Sequence, residues 1–281
     1  MAYGQVIADS IQTSSGSILG AGNATAFKNR LIDAGFIINQ RVYTSGTSLS
    51  SGSYGHDRWK GGGSGGTYTF TQGSLGVPIS ITITAGSIQQ VIEGCNMPEG
   101  GTYVLSWTGT AQARFNGGTY GSSPLAVTGI TAGANTTIEF NTGTLSYPQL
   151  EVGSTATSFD YRPYTTELQL CQRYYYKIKA TSGNTEFGSG FNYNTSSALG
   201  VVKFAVTMRT NPTALEQTGT AGDYQVLYAG NNAICTSVPT YDGSCAESAD
   251  VQFNTTGLTA GQGSFLRAVN TNAYLAWSAE L

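Results

Sequence analysis

The chain has 281 residues with 13 Lys or Arg against 16 Asp or Glu, a formal net charge of −3. Charged side chains make up only 10% of it, while its 38 glycines are roughly twice the usual share. Glycine costs ~1 kcal/mol at an interior helical position, and Ser, Thr and Asn compete for backbone bonds, so an all-helical protein is excluded. The length favours two domains, each able to bury its own core. No run of 18 apolar residues and no basic-then-apolar leader occurs, so a soluble chain without membrane insertion is expected. The scarce Lys and Arg form no cluster, and no nucleic-acid partner is expected.

Residues 1–30 are small, rich in Gly, Ser and Thr, and weakly patterned, with scattered Val6, Ile7, Ile11, Ile18 and Leu19. Such an arm cannot bury enough apolar surface alone to offset its ordering entropy, so neighbouring copies or a larger assembly would have to hold it. From residue 31 to 162 short alternating runs follow, including TYTFT (67–71), ISITIT (79–84), YVLSWT (103–108), 112–115, 125–127 and 137–140. Period-2 alternation broken every ten or so positions by turn residues predicts an antiparallel sandwich, with a hairpin turn at Gly117-Gly118. A helix is predicted over 165–173, capped by Thr165 or Thr166, with Glu167 in the first turn beside the positive end of the dipole. Its face would be Leu168, Cys171, Gln172 and Tyr175, and it would run into a strand at YYYKIKA.

Residues 174–281 repeat the strand-and-turn texture in runs at 174–180, 190–193, 200–208, 223–229, 249–253, 264–269 and 273–281. In VVKFAVTM, Val202, Phe204, Val206 and Met208 share one face and Val201, Lys203, Ala205 and Thr207 the other, and Pro212 ends the run. The fold class read from these signals is all-β: two β-sandwich, jelly-roll-like domains (31–164 and 174–281) joined by a short helix and preceded by an extended N-terminal arm.

Cys95, Cys171, Cys235 and Cys245 form no CxxC pair, so structural zinc is not expected. Free buried thiols are the simplest reading, with a Cys235–Cys245 disulfide the alternative outside a cell. His56, the single histidine, sits in the run His56-Asp57-Arg58-Trp59. With no GxSxG elbow and no partner in sight, it reads as a loop residue and Arg58 and Trp59 as structural. The acids are scattered rather than paired as glycoside hydrolysis needs, so no catalytic residue is assigned. Trp107 and Trp277 read as core. Sugar recognition needs flat aromatic faces beside amides or carboxylates. That combination occurs at Tyr193 and Asn194, at Tyr224 after Gly222-Asp223, and at Tyr241-Asp242 in what reads as a VPTYDGSC loop. These five are the candidate receptor-binding residues.

Several strings are distinctive: LGAGNATAFKNRLIDAGFIINQR (19–41), HDRW (56–59), YVLSWTGTAQARFNG (103–117), PQLEVGSTATSFDYRPYTTELQLCQRYYYK (148–177), VKFAVTMRTNPT (202–213) and AYLAWSAEL (273–281). Together they resemble a family of bacteriophage tail-fibre and other virion-fibre proteins that carry a jelly-roll similar to carbohydrate-binding modules, followed by a terminal sandwich. The resemblance implies a homotrimeric virion component, a non-enzymatic tail fibre. Its arm (1–30) would attach to other tail, baseplate or capsid proteins, and its distal sandwich would bind host-surface glycan. A head fibre or capsid decoration protein is the alternative, and a polysaccharide-degrading tailspike a further one. No cofactor is implied. A structural calcium ion, for which Asp57, Glu151 and Asp160 are scattered candidates, is left open.

Overall fold

The computed structural model describes residues 10–12, 18–20 and 27–281. Two short strands of the arm, β1 (Ser10–Gln12) and β2 (Ile18–Gly20), pair antiparallel. The rest of the expected arm up to residue 26, with its proposed anchoring role, lies outside the described residues. Asn29 and Arg30, assigned to the arm by the sequence, are part of the first unit. The Asn29 carboxamide donates to Pro148 O and accepts from the backbone N–H groups of Leu31 and Leu150, and the Arg30 N–H donates to Leu150 O.

Among the described residues the chain is all-β apart from one α-helix and two single-turn 3-10 helices, and it divides into two compact units, residues 1–168 with Leu281, and residues 169–280. The first holds β3 (Ser48–Leu49), β4 (Lys60–Phe70), β5 (Ile81–Ile92), β6 (Gly101–Thr108), β7 (Ala113–Phe115), β8 (Leu125–Ile130), β9 (Thr136–Phe140) and β10 (Gly143–Val152). Their order is β3-β4-β5-β10-β6-β8, with β9 also on β5 and β7 on β9. The strand β10 changes sheets along its length. Gly143–Leu145 pair with β5, whereas Ser146–Val152 pair with β6, and a bulge separates Ser146 from Gln149. A strand that switches layers at a bulge is how a sandwich turns its corner.

The alternation of β5 changes phase midway. Ile81 and Ile83 face the core before Gly86, Ile88 and Ile92 after it. Gly86 makes this possible: its φ is +63°, and a Cβ there would lie 2.2 Å from Gly65 O. Around these strands Phe36, Trp59, Tyr68, Trp107, Ile138, Phe140 and Leu150 close a core in which each large apolar side chain contributes ~1.5–3 kcal/mol by burial. The predicted hairpin turn is present with its tip one residue earlier. Asn116 (φ +47°) and Gly117 (φ +75°) are the two central residues, and the Gly118 N–H donates to Phe115 O at 2.8 Å.

The helix α1 (Tyr164–Gln172) starts a residue earlier than predicted, because Pro163 O accepts the Glu167 N–H and neither Thr165 nor Thr166 takes the cap position.

The second unit contains β11 (Tyr175–Lys179), β12 (Glu186–Asn192), β13 (Ser197–Lys203), β14 (Tyr224–Tyr228), β15 (Asn231–Ile234), β16 (Thr240–Ser244), β17 (Ser248–Asn254), β18 (Gly263–Ala268) and β19 (Tyr274–Ser278). Seven form one antiparallel sheet in the order β15-β14-β18-β12-β13-β17-β16, and β11 pairs with β19 as a two-stranded ribbon. The inner face of the large sheet, with Val202, Tyr224, Val226, Val251, Phe253 and Leu266, shares one core with Tyr176, Leu275 and Trp277 of the ribbon. The layers are therefore unequal, and the opposite face of the large sheet is left to solvent. The predicted strand over 200–208 leaves the ladder at Lys203, yet its burial alternation continues: Val202 and Met208 are buried while Val201, Lys203, Ala205 and Thr207 are exposed. Beyond Lys203 the backbone bonds pass to a loop, Phe204 N–H to Glu247 O and Met208 N–H to Ala246 O, while the Phe204 ring packs on Tyr176 and Trp277.

Candidate functional site

The open face of the large sheet is built by strict alternation. In β12 and β13, Ala198, Val202 and Asn192 point inward, which sends Phe191, Leu199 and Val201 outward. Register sets them side by side, with Phe191 opposite Leu199 and Val201 opposite Asp250 on β17. Beyond Asp250, the register of β16 shifts between Tyr241 and Gly243, and the extra residue of that bulge is Asp242. The outcome is a groove of about 190 Å³ with an apolar floor of Phe191, Leu199 and Val201 and two exposed carboxylates, Asp242 and Asp250, at its edge. The floor is also tight. Gly190 faces Gly200, and a Cβ on Gly190 would sit 1.9 Å from Leu199 O. Phe191 and Val201 remain 47% and 44% exposed, and Tyr193 (62%) places its ring edge-on to Phe191 at 6.4 Å. An apolar face beside carboxylate acceptors is what a polyhydroxylated ring, apolar on one side and ringed by hydroxyls, can occupy.

The five sequence-selected residues separate on this geometry. Tyr193 packs on Phe191, and Asp242 lines the same groove as that ring. Asn194 is exposed but committed to its own turn, its Oδ1 accepting from the N–H groups of Ser196 (2.7 Å) and Ser197 (2.8 Å). Tyr241 is not a loop residue: it lies in β16, half-buried, and its hydroxyl donates to Pro212 O at 2.8 Å. Tyr224 is a correction. It opens β14 fully buried, accepting from the Thr218 N–H and donating to Tyr274 O, because the inward parity of that strand starts at Tyr224 and continues at Val226. Phe191, Val201 and Asp250 were missed. The signal for them was that β13 carries apolar residues at both parities, Ala198 and Val202 but also Leu199 and Val201, so its outer face is not a plain solvent face.

In the first unit the HDRW run lies in the core. His56 lies in the loop before β4, as read, but it is a buried loop residue, enclosed by Phe36, Tyr43, Tyr68 and Phe70. The Tyr68 hydroxyl accepts the His56 backbone N–H at 2.8 Å and makes a second hydrogen bond with the ring Nδ1 at 2.9 Å. Burial lowers the imidazole pKa to about 4, so the ring is neutral at pH 7. Arg58 donates to Val91 O and Trp59 to Asp33 O, structural roles as expected. Asp33, also fully buried, has its pKa raised by desolvation, then by the charges of Asp57 and Glu167.

Glu151 accepts from the Thr157 N–H and Gln149 Nε2 on one oxygen and from Thr157 Oγ1 on the other, and Asp57 accepts from the Gln40 backbone and side chain. Among the described residues no three acids, histidines or cysteines gather as metal ligands. No disulfide joins any of the four cysteines; Cys171 and Cys235 are buried as expected, but Cys95 and Cys245 are exposed. Burial pushes the Cys235 thiol up to about 12, which makes it inert. No helix among the described residues is long and apolar enough to cross a membrane. A scan against protein-family models matches none, and no curated protein is significantly similar to the chain.

Proposed function

We propose that the chain is a virion fibre protein of bacteriophage type, non-enzymatic and homotrimeric, which acts as a tail-fibre adhesin and binds host-surface glycan through its second unit. The observation that carries this reading is the groove at Phe191, where an exposed ring and the two carboxylates Asp242 and Asp250 share one open sheet face. A single shallow site of this kind holds a sugar weakly. Three linked copies raise the avidity by roughly 10² or more without any new contact. The arm would join the protein to the particle, and the low charge and dense turn chemistry suit an appendage exposed to proteases.

Two other readings share the fold. A head fibre or capsid decoration protein would use the same units structurally, and a map of the particle distinguishes it by which virion protein the arm touches. A glycan-degrading tailspike would use Asp242 and Asp250 as acid and nucleophile or base. Hydrolysis needs one carboxyl held protonated, usually by an apolar pocket, whereas both of these open to water. Adsorption of the labelled protein to host cells, lost on Phe191→Ala, tests the adhesin. Release of reducing ends from host polysaccharide, abolished by Asp242→Asn, would overturn it.

A further inference from the structure

The first unit carries an apolar patch that its own strands leave uncovered. Phe27, Leu75, Val77, Tyr147 and Tyr161 are all exposed. The loop between β4 and β5 supplies two of them. The Val77 N–H donates to Ser74 O at 3.0 Å and closes a turn with Gly76 at φ +77°, which sets Leu75 at the tip, 79% exposed. Tyr147 comes from the register shift of β10 between Ser146 and Gln149, and its ring touches those of Phe159 and Tyr161, with centroids 5.2 and 6.1 Å away. Gly76 and Pro78 line one small cavity with Phe159 and Tyr161, so the loop and the aromatic segment are neighbours.

The arm joins the fold beside this patch. Lys28 Nζ donates to Thr157 Oγ1, the Asn29 N–H to Asp160 Oδ2 at 3.3 Å, and Arg162 Nη2 to Asn29 O, so the chain at residues 28–29 runs along the segment that carries Phe159 and Tyr161. The charged groups of these two stretches, Lys28, Asp160 and Arg162, are thereby engaged with each other's backbone or with a hydroxyl, and residues 71–80 hold no charged side chain at all. Before Phe27 in the chain stands the hairpin of β1 and β2, in which register pairs Ile11 with Leu19. Asp9 is the one charged residue from 1 to 26, so covering the hairpin strands almost no charge away from water. A two-stranded hairpin by itself is marginal at best in water, and an exposed apolar patch on a folded unit marks a place where something packs.

We infer that the patch of Leu75, Val77, Tyr147 and Tyr161 is the dock for the chain's own β1–β2 hairpin. The reach allows it. Six residues, 21–26, separate Gly20 from Phe27, and such a stretch spans at most ~25 Å. So short a tether holds the hairpin at an effective concentration in the millimolar range, above that of a second copy in dilute solution, and the chain's own hairpin therefore displaces a neighbour's. The arm is then held by its own first unit, without the neighbouring copies that its composition alone calls for.

The test is hydrogen exchange of the full-length chain read by mass spectrometry, joined to photo-crosslinking from p-benzoylphenylalanine placed at Leu19. In the wild-type chain the peptide covering β1 and β2 exchanges at least about tenfold more slowly than the same peptide free in solution. Leu75→Ser with Tyr161→Ser, both at exposed positions, removes most of that protection while exchange in β9 stays as it was. Phe191→Ser, an equally exposed change on the second unit, leaves the protection in place. Irradiation links position 19 to peptides holding Leu75, Tyr147 or Tyr161 within one chain. Exchange as fast as in the free peptide, protection indifferent to the double variant, or a crosslink to any other site overturns the dock. Protection that falls on dilution, or a crosslink joining two chains, gives the patch to a neighbour's hairpin and overturns the own-chain assignment.

Discussion

Arg162 and Glu167 form a buried ion pair: Arg162 Nη1 lies 3.0 Å from both carboxylate oxygens, and their side chains are only 5% and 7% exposed. Glu167 also accepts the Asp33 N–H, while Arg162 Nη2 donates to Asn29 O and Leu31 O. The pair thus fixes the start of α1 to the opening segment of the first unit, a different task from the dipole contact the sequence predicts. Removing one partner of a desolvated pair leaves a buried charge. Glu167→Ala should therefore cost about 3–5 kcal/mol in urea unfolding, whereas Arg162→Met with Glu167→Leu should cost less than either single change. A double variant as destabilised as either single one would contradict this.

His56 makes stability depend on pH. Its folded pKa of about 4 lies below the ~6.5 of an unfolded histidine. The stability gained from keeping it neutral is complete above ~6.5 and is lost as pH falls toward 4, up to ~3 kcal/mol in all. Asp33 has the opposite sign. Its folded pKa is raised, so its contribution is complete below the unfolded carboxyl range and is lost as pH rises. Between pH 7 and 4.5 the two contributions therefore oppose each other, and His56→Gln should remove the one that lowers the denaturant midpoint toward pH 4.5. Asp33→Asn should gain most relative to wild type at pH 8. An unchanged slope in His56→Gln would show that another group sets the acid limb.

Adsorption and stability should separate in the second unit. Tyr193→Ala and Asp242→Asn alter exposed groups, so each should weaken binding to host cells severalfold while moving stability by no more than ~0.5 kcal/mol. Tyr224→Phe removes a buried hydroxyl with two partners and should cost ~1–2 kcal/mol with adsorption intact. Parallel thermal melts and cell-binding curves report both quantities.

Where the arm ends can be measured by truncation. Deleting residues 1–26 should abolish incorporation into particles while the units stay folded. Deleting residues 1–30 should also lower the thermal midpoint, because the contacts of Asn29 and Arg30 with β10 go with it. Light scattering of the full chain should give three times the protomer mass, and a monomer would remove the avidity on which adhesion depends.

The alternation in TYTFT, ISITIT and YVLSWT marked the strands of the first unit, and the same signal placed Trp107 and Trp277 in the core, where both are buried. The strand β10 was not picked out, because Pro148 interrupts it and its two halves serve different sheets. At the candidate site, Tyr193 and Asp242 were legible as aromatic and acid in turn-rich sequence. Tyr224 misled because a Gly-Asp turn precedes it, while strand parity starts one residue later.

Composition and period-2 patterning by themselves determined an all-β chain, two cores and the short helix between the two β-rich stretches, since those depend on backbone propensity and on which residue types leave water. Only the tertiary structure decided which strands share a sheet and where a bulge turns a side chain outward. It also decided which apolar face stays uncovered. These are long-range matters: Phe191 and Asp242 line one groove although two strands lie between theirs, and Tyr147 is turned outward at a register shift in β10, neither of which local pattern records.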